Sequence, residues 1–119
     1  MNYELRTERS AKIQTFTDLN AWKEAYKLTL MIYEITKRFP KEELFGLVSQ
    51  MRRCSVSITS NIAEGFSRQS YGEKVQFYSI AQGSVTELQN QLLVAQGVSV
   101  LDEKDFCRYF SSQPKCIKF

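Results

Sequence analysis

The chain has 119 residues, of which 16 are basic and 13 acidic, so its formal net charge is +3. That length forms one domain with a modest core, and an apolar fraction of 43% is that of a folded protein. The charge is a weak bias toward nucleic acid, far below that of a strongly basic binder. The sequence has no histidine, which excludes Cys/His zinc sites and histidine general bases.

The cysteines show no metal-binding pattern either. Cys54, Cys107 and Cys116 have no C-x-x-C spacing, so we predict neither a metal site nor a cofactor. Cys54 falls in the apolar sector of a predicted helix, and we expect it to be a buried, small hydrophobic residue. No apolar run reaches the length of a membrane span, and the N-terminus has no secretory pattern. We therefore expect no membrane partner and a cytoplasmic location.

The first helix is predicted over residues 19–38, after a polar arm that we expect to be flexible over residues 1–16. Thr17 or Asp18 is its expected N-cap, because a short side-chain oxygen accepts a hydrogen bond from a free backbone N–H. A domain this small cannot cover both apolar faces of this helix, so we predict that a second copy covers one of them. One face carries Trp22, Tyr26, Leu30 and Tyr33. The other face, which we assign to an interface, carries Leu28, Met31, Ile32 and Ile35.

The second helix is predicted from residue 41 or 42 to Glu64, directly after Phe39 and Pro40. Beside its apolar stripe lies a sector of small polar residues and one carboxylate. Serine and asparagine are poor helix formers, so this sector favours polar contacts at a packed boundary over an ordinary solvent-facing surface. Gly65 is predicted to end the helix in the left-handed conformation. The residues of this sector that we assign to an interface are Ser57, Ser60, Asn61 and Glu64.

The third helix is predicted from Tyr71 to residue 95 or 96, with Ser70 as its N-cap. After Lys74, the helix has a single charged residue, Glu87. A neutral polar exterior is typical of a wet interface. Within it, Gly83 and Ser84 would let another backbone approach closely.

A short fourth helix is predicted after Leu101, with Asp102 as its cap. Pro114 ends it, since proline lacks a backbone donor and clashes with the preceding turn. We therefore place the helical domain over residues 17–113 and an irregular tail over residues 114–119.

The run S-I-x-S-N-I-A-E-G at residues 57–65 resembles the small bacterial four-helix-bundle proteins found in ribosomal RNA intervening sequences. That family includes the accessory variability protein of diversity-generating retroelements. The last residues, 111–119, depart from the family's long final helix. Further matching pieces follow the family's order over residues 18–101: Asp18-Leu19 with Trp22, Phe39-Pro40-Lys41-Glu42-Glu43 with Gly46-Leu47, and Ala81-x-Gly83-Ser84 with Glu87-Leu88.

The fold that we predict is all-α: an antiparallel up-down four-helix bundle with a short or incomplete fourth helix. The resemblance also implies a homopentameric, barrel-like ring whose basic surface binds RNA or DNA. In the retroelement branch of the family, the protein partner is a reverse transcriptase.

The candidate phosphate contacts are Arg52, Arg53, Arg68 and Lys74. For Arg53 the alternative is a structural ion pair with Glu64 or Glu87, in a neighbouring helix or a neighbouring copy. Arg68 and Lys74 flank the turn after the second helix, where they would form a basic rim with Lys41 if copies assemble as a ring. An ordinary solvated surface explains each of these residues equally well.

Enzymatic activity finds no support in the sequence. Glu64 and Glu87 could pair as catalytic carboxylates, but nothing indicates the cleft that acid–base catalysis needs. Neither a P-loop nor a dinucleotide-binding motif is present. We therefore predict a non-enzymatic accessory protein that binds nucleic acid. The alternative is a purely structural homo-oligomer, or a protein-interaction module, without a nucleic-acid role.

Overall fold

A computed structural model of the chain describes residues 12–111, with side-chain burial through Tyr109. All regular structure in this part of the chain is helical, and α2 packs against both α1 and α3, while α4 packs against α3. The predicted all-α four-helix bundle is confirmed. Most of the predicted arm, residues 1–11, and the tail at 114–119 lie outside the described residues. The four helices are α1 (Asn20–Thr36), α2 (Ser49–Ser67), α3 (Tyr71–Gly97) and α4 (Glu103–Ser111).

The start of α1 differs from the prediction. A 3-10 turn, Phe16–Asp18, precedes the helix, and the Thr15 side chain caps this turn. The Asp18 carboxylate accepts the backbone N–H groups of Gln14 at 2.9 Å and Thr15 at 3.1 Å. These two hydrogen bonds lower the pKa of Asp18. The expected cap of α1 by Thr17 or Asp18 is therefore wrong, because the capping box lies one turn earlier and closes the 3-10 turn instead.

The predicted second helix is not a continuous α-helix at its start. A 3-10 turn, Lys41–Glu43, leads into a π-helical segment, Leu44–Val48, which precedes α2. Gly46 has a non-helical backbone with φ −108° and ψ −108°. The Glu43 carboxylate accepts the Leu47 N–H at 3.3 Å and so stabilises the wider turn. The π turn shifts the apolar stripe around the helix, so that Val48 is buried whereas Leu44 is 49% exposed. A regular 3.6-residue period assumes an unbroken α-helix and therefore does not predict this shift.

The caps of α3 and α4 agree with the prediction. Ser70 accepts the Glu73 N–H at 3.1 Å, and Asp102 accepts the Asp105 N–H at 2.7 Å. An ion pair of 3.3 Å between Arg38, just after α1, and Asp105 joins the fourth helix to the first. The short α4 therefore closes the end of the bundle where α1 and α3 both finish.

The core lies where α2 meets its two neighbouring helices. Two threonines of α1 mark one of these contacts: Thr29 donates to the Ser55 carbonyl at 3.2 Å, and Thr36 accepts from Arg52 at 2.9 Å. Such polar contacts fix how far the helices are rotated about their axes. The largest fully buried apolar side chains are Ile32, Ile35, Met51, Ile58, Ile62, Leu88 and Leu92.

The two apolar faces of α1 have different surroundings. Leu28, Ile32 and Ile35 are buried in the core, and Met31 packs against its edge. This face was expected to be an interface, but it is not free for a second copy, because the protomer's own helices cover it. The face that stays open is the opposite one, where Leu30 is 51% exposed. Within residues 12–111, no helix has both the length and the hydrophobicity needed to cross a bilayer.

Candidate nucleic-acid and subunit interfaces

The small polar residues of the 57–65 run lie at the boundary between α2 and α3. The hydroxyl oxygens of Ser57 and Ser84 are 3.0 Å apart. Asn61 donates to the Ser57 carbonyl at 2.8 Å and to its hydroxyl at 3.1 Å. The structure therefore contains the predicted polar contacts at a packed boundary, and they join two helices of one protomer. Ser60 and Glu64, in the same run, are exposed.

Cys54 is buried in this boundary and donates to the Ser84 carbonyl, with Sγ and O 3.0 Å apart. Burial, reinforced by the negative charge of Glu87, raises the pKa of the Cys54 thiol to about 12. A thiol that stays protonated is a hydrogen-bond donor and a poor nucleophile. The prediction that Cys54 is a small buried residue is confirmed.

The two carboxylates singled out in the sequence have different partners. Glu87 accepts a hydrogen bond from Gln91 Nε2 at 3.1 Å. In residues 12–111, the Glu64 carboxylate has no side-chain partner, and no three His, Cys, Asp or Glu residues are grouped to hold a metal ion. Gln91 is 8% exposed, and its Oε1 has no hydrogen-bond partner among the described residues. An unpaired buried acceptor destabilises the fold, so a water or a partner's donor is favoured beside it.

Gly65 is required by packing rather than by backbone conformation. It lies inside α2, which continues to Ser67, and no glycine of the described residues has a positive φ. A Cβ atom on Gly65 would lie 2.6 Å from the Tyr78 ring and 3.1 Å from Phe77 Cβ. The predicted left-handed stop is therefore wrong, and the missing side chain instead lets α3 approach α2. At Gly83 an added Cβ would meet nothing within 4 Å, so that side of α3 is open.

Arg52 and Arg53 make different contacts. Arg52 lies over the Tyr33 ring, 4.7 Å from its centroid, and its Nε donates to the Thr36 hydroxyl at 2.9 Å. Arg53 is exposed and donates to the Gln50 side chain at 2.9 Å. No carboxylate of residues 12–111 forms an ion pair with either arginine. The expected pairing of Arg53 with a neighbouring helix is thus not found within the protomer, and pairing with another copy stays a prediction.

Arg68 and Lys74 lie beyond the other end of α2. Lys74 Nζ donates to the carbonyls of Gly65 at 3.3 Å and Phe66 at 2.8 Å. The Phe66 carbonyl lies in the last turn of α2, where carbonyls lack partners within the helix, and the Gly65 carbonyl also accepts the Arg68 N–H at 3.2 Å. Arg68 is exposed and lies over the Phe77 ring, 4.7 Å from its centroid. Arg68 therefore presents a positioned guanidinium to solvent, whereas Lys74 already serves the fold.

The four candidate phosphate contacts do not form one cluster. Arg52 and Arg53 lie in the first turns of α2, and Arg68 follows its last residue, roughly 24 Å away at 1.5 Å per residue. Lys41 precedes α2, so the predicted rim of Lys41, Arg68 and Lys74 does not form within one protomer. A nucleic acid that contacts both groups must run along α2 or bridge several copies.

Exposed apolar side chains lie on α1 and α3, among other places in the described residues. On α1, the ring of Trp22 stacks on Tyr26 at 4.9 Å, and the stripe continues through Leu30 and Tyr33. On α3, the exposed apolar residues interrupt the neutral polar exterior. The α1 residues follow one helical face, and a contiguous exposed apolar surface of this kind marks an interaction site. The exposed apolar residues of α3 include Val75, Ile80, Leu93 and Val94.

The four helices define a four-helix-bundle protein. Small polar residues, among them Ser57 and Ser84, join α2 to α3. A family model described as 23S rRNA-intervening sequence protein matches residues 17–117. The chain belongs to this family, which confirms the resemblance carried by the 57–65 run. The match extends through most of residues 111–119, the segment expected to depart from the family. A search of curated proteins finds no match.

Proposed function

We propose that this protein is a non-enzymatic accessory factor that assembles as a homo-oligomer, expected to be a pentamer, and binds RNA or DNA through its basic surface. The observation that carries the proposal is the exposure of two arginines, one in α2 and one directly after it. Arg53 and Arg68 are exposed, and no carboxylate in residues 12–111 pairs with them. A guanidinium fork without a carboxylate partner suits a phosphate group.

Assembly strengthens this proposal electrostatically. A charge of +3 on one chain is small, but five copies together carry +15. Each copy would add its Arg53 and Arg68 to the same assembly, and affinity for a polyanion rises with the number of phosphates neutralised. Binding of this kind positions the backbone and discriminates little between bases.

The proposal gives the protein no catalytic residue. Cys54 is buried and stays protonated, and Glu87 accepts a hydrogen bond from Gln91. Glu64 is exposed rather than set in a cleft with Glu87. We place the protein in the cytoplasm, and a reverse transcriptase is a proposed partner by analogy with the retroelement branch of the resembled family.

A purely structural homo-oligomer is the second candidate, and the exposed apolar surfaces favour it. Neither the α1 stripe nor the neutral exterior of α3 needs nucleic acid to explain it. Both surfaces fit a contact between copies, because interfaces are enriched in aromatic residues and depleted in lysine and glutamate.

A salt titration separates the two candidates. Binding of a fluorescently labelled 20-nucleotide RNA is measured by anisotropy at several salt concentrations. Nucleic-acid binding predicts an affinity that falls steeply as salt rises, and Arg68→Ala should reduce the slope by about one unit. Lys27→Ala is the matched control, because it removes one charge from a lysine that pairs with Glu24 on α1. The absence of binding at low salt would remove the nucleic-acid role, and equal effects of both variants would exclude Arg68 as a phosphate contact.

A further inference from the structure

A second basic feature lies at the corner where α1 passes into α2, at the opposite end of α2 from Arg68. It is a cavity of about 260 Å³. Its lining combines cationic and apolar side chains, and the described residues that form it include no carboxylate. The cations are Lys37, Lys41 and Arg52, and the apolar part includes Phe39, Leu44 and Val48.

The guanidinium of Arg52 is held in place at this cavity. Its Nε donates to Thr36 at 2.9 Å, one terminal nitrogen donates to the Tyr33 carbonyl at 3.4 Å, and the Tyr33 ring lies beneath it. A guanidinium has five N–H donors, so these contacts leave donors for a ligand. A positioned cation loses little conformational entropy on binding an anion.

An exposed aromatic ring lies next to the cavity in the chain. Phe45 follows Leu44 in the π-helical segment and is 92% exposed. The turn that presents it is fixed by the bond from the Leu47 N–H to the Glu43 carboxylate. π-Helical turns occur often at functional sites. A phenylalanine held almost entirely in water gains most if a flat partner covers it.

A cation that already pairs with a carboxylate is less available to bind an anion. Glu43 is engaged with the Leu47 N–H, and Glu34 lies 3.5 Å from Lys37. Lys41 and Arg52 have no carboxylate partner in residues 12–111. The corner thus offers two cations that have no carboxylate partner in residues 12–111, a partly apolar cavity, and one exposed ring that is adjacent in the chain.

We propose that this corner holds one unpaired nucleotide of a single-stranded nucleic acid, with its base on Phe45 and its phosphate on Lys41 and Arg52. The inference rests on the proposed nucleic-acid role and adds a preference for single strands. A base can stack on a side chain when it is unpaired, and base–aromatic stacking tolerates any sequence. An acidic protein segment would use the same cations, but it would leave the exposed ring without a flat partner.

The test compares single-stranded and duplex RNA of equal length by anisotropy. Phe45→Ala should weaken single-strand binding about 5- to 100-fold and leave duplex binding nearly unchanged. Phe45→Trp should keep the affinity, and its fluorescence should be quenched by the single strand. Tyr71→Ala is the matched control, because Tyr71 is an 82% exposed aromatic residue at the start of α3, at the opposite end of α2 from Phe45. Lys41→Ala should reduce the salt slope for the single strand.

Three other outcomes would overturn either this inference or the proposed function. If the wild-type protein binds RNA in a salt-dependent way but Phe45→Ala binds equally well, this inference fails and the proposed function stands. If the wild-type protein binds neither RNA nor DNA of the same length at low salt, the proposed function fails as well. If Phe45→Ala lowers the mass of the assembly while binding per protomer is unchanged, the ring is a contact between copies and the inference fails. Circular dichroism checks that each variant folds.

Discussion

Ser57 on α2 and Ser84 on α3 hold their hydroxyl oxygens 3.0 Å apart across the boundary of the two helices. The side chains are small, so the helices approach closely, and the hydroxyls satisfy each other where water is largely excluded. Asn61 donates to the same Ser57 hydroxyl at 3.1 Å and extends the pair into a short network. The signature run of the family thus has a structural role within the protomer.

The serine pair predicts a non-additive loss of stability. Ser57→Ala should lower the free energy of unfolding by about 1 kcal/mol, because it leaves the buried Ser84 hydroxyl unpaired. Ser84→Ala should lower it by less, because the Ser57 hydroxyl still accepts a hydrogen bond from Asn61. The double variant should lose less than the sum, since neither hydroxyl is then left alone. Urea unfolding measures this, with the exposed Ser79→Ala of α3 as the control. Additive losses would show that the two hydroxyls are not coupled.

Two glycines should respond in opposite ways to alanine. Gly65→Ala should destabilise the protein by about 1–3 kcal/mol, because its Cβ would lie 2.6 Å from the Tyr78 ring. Gly83→Ala should stabilise the isolated protomer by about 0.5–1 kcal/mol, since its Cβ meets open space and alanine is the better helix former. Thermal unfolding of both variants tests the pair. A stable Gly65→Ala protein would contradict the close approach of α2 and α3.

The buried thiol predicts a loss of stability at high pH. An ordinary Cys54 thiol would ionise near pH 9.0, whereas its pKa in the folded protein is raised to about 12. The folded state therefore holds the proton more tightly, so this contribution to stability is complete below pH 9 and is lost as pH rises toward 12. Unfolding free energies from pH 8 to 10.5 should fall more steeply for the wild type than for Cys54→Ala. Parallel curves would contradict the burial of a protonated thiol.

The sequence predicts the helices well because their apolar stripes and caps are local features. Ser70 and Asp102 cap the helices that they were expected to cap, since each bond lies within three residues of the chain. The contacts of Gly65 and Arg52 are not predictable in this way. They depend on which ring of another helix lies opposite, Tyr78 in one case and Tyr33 in the other. Which ring lies opposite is decided by the packing of the helices, and no periodic pattern in the sequence indicates it.

The different roles of Arg68 and Lys74 could not be predicted from the sequence either. Lys74 and Arg68 lie close together in the chain and have the same charge, yet Lys74 serves the end of α2 through the Gly65 and Phe66 carbonyls. Nothing local distinguishes a lysine that caps a preceding helix from one that faces solvent. The two roles are separable by experiment.

Lys74→Gln should therefore lower the free energy of unfolding by about 1 kcal/mol, because it removes charged donors from carbonyls at the end of α2. It should leave the salt slope of RNA binding close to that of the wild type. Arg68→Ala should do the reverse, with little change in stability and a shallower slope. Chemical unfolding and the salt titration together measure both effects. A stability loss for Arg68→Ala that equals that of Lys74→Gln would contradict this division of roles.

The open stripe of α1 predicts that a single charge disrupts assembly without unfolding the protomer. Leu30→Glu places a carboxylate on a residue that is 51% exposed in the protomer, so the cost arises when a second copy buries it. Asn20→Glu adds the same charge at the exposed start of α1 and is the control. Circular dichroism should give equal helix content for both variants, while light scattering should give a smaller assembly for Leu30→Glu. An unchanged mass would exclude the α1 stripe from the contact.

The central claim is that the apolar stripe of α1 and the neutral exterior of α3 are covered by other copies of the chain. Sedimentation equilibrium of the wild-type protein across the micromolar range tests this most directly. We expect an assembly of several protomer masses, with five as the predicted number. A monomer mass at every concentration would contradict it.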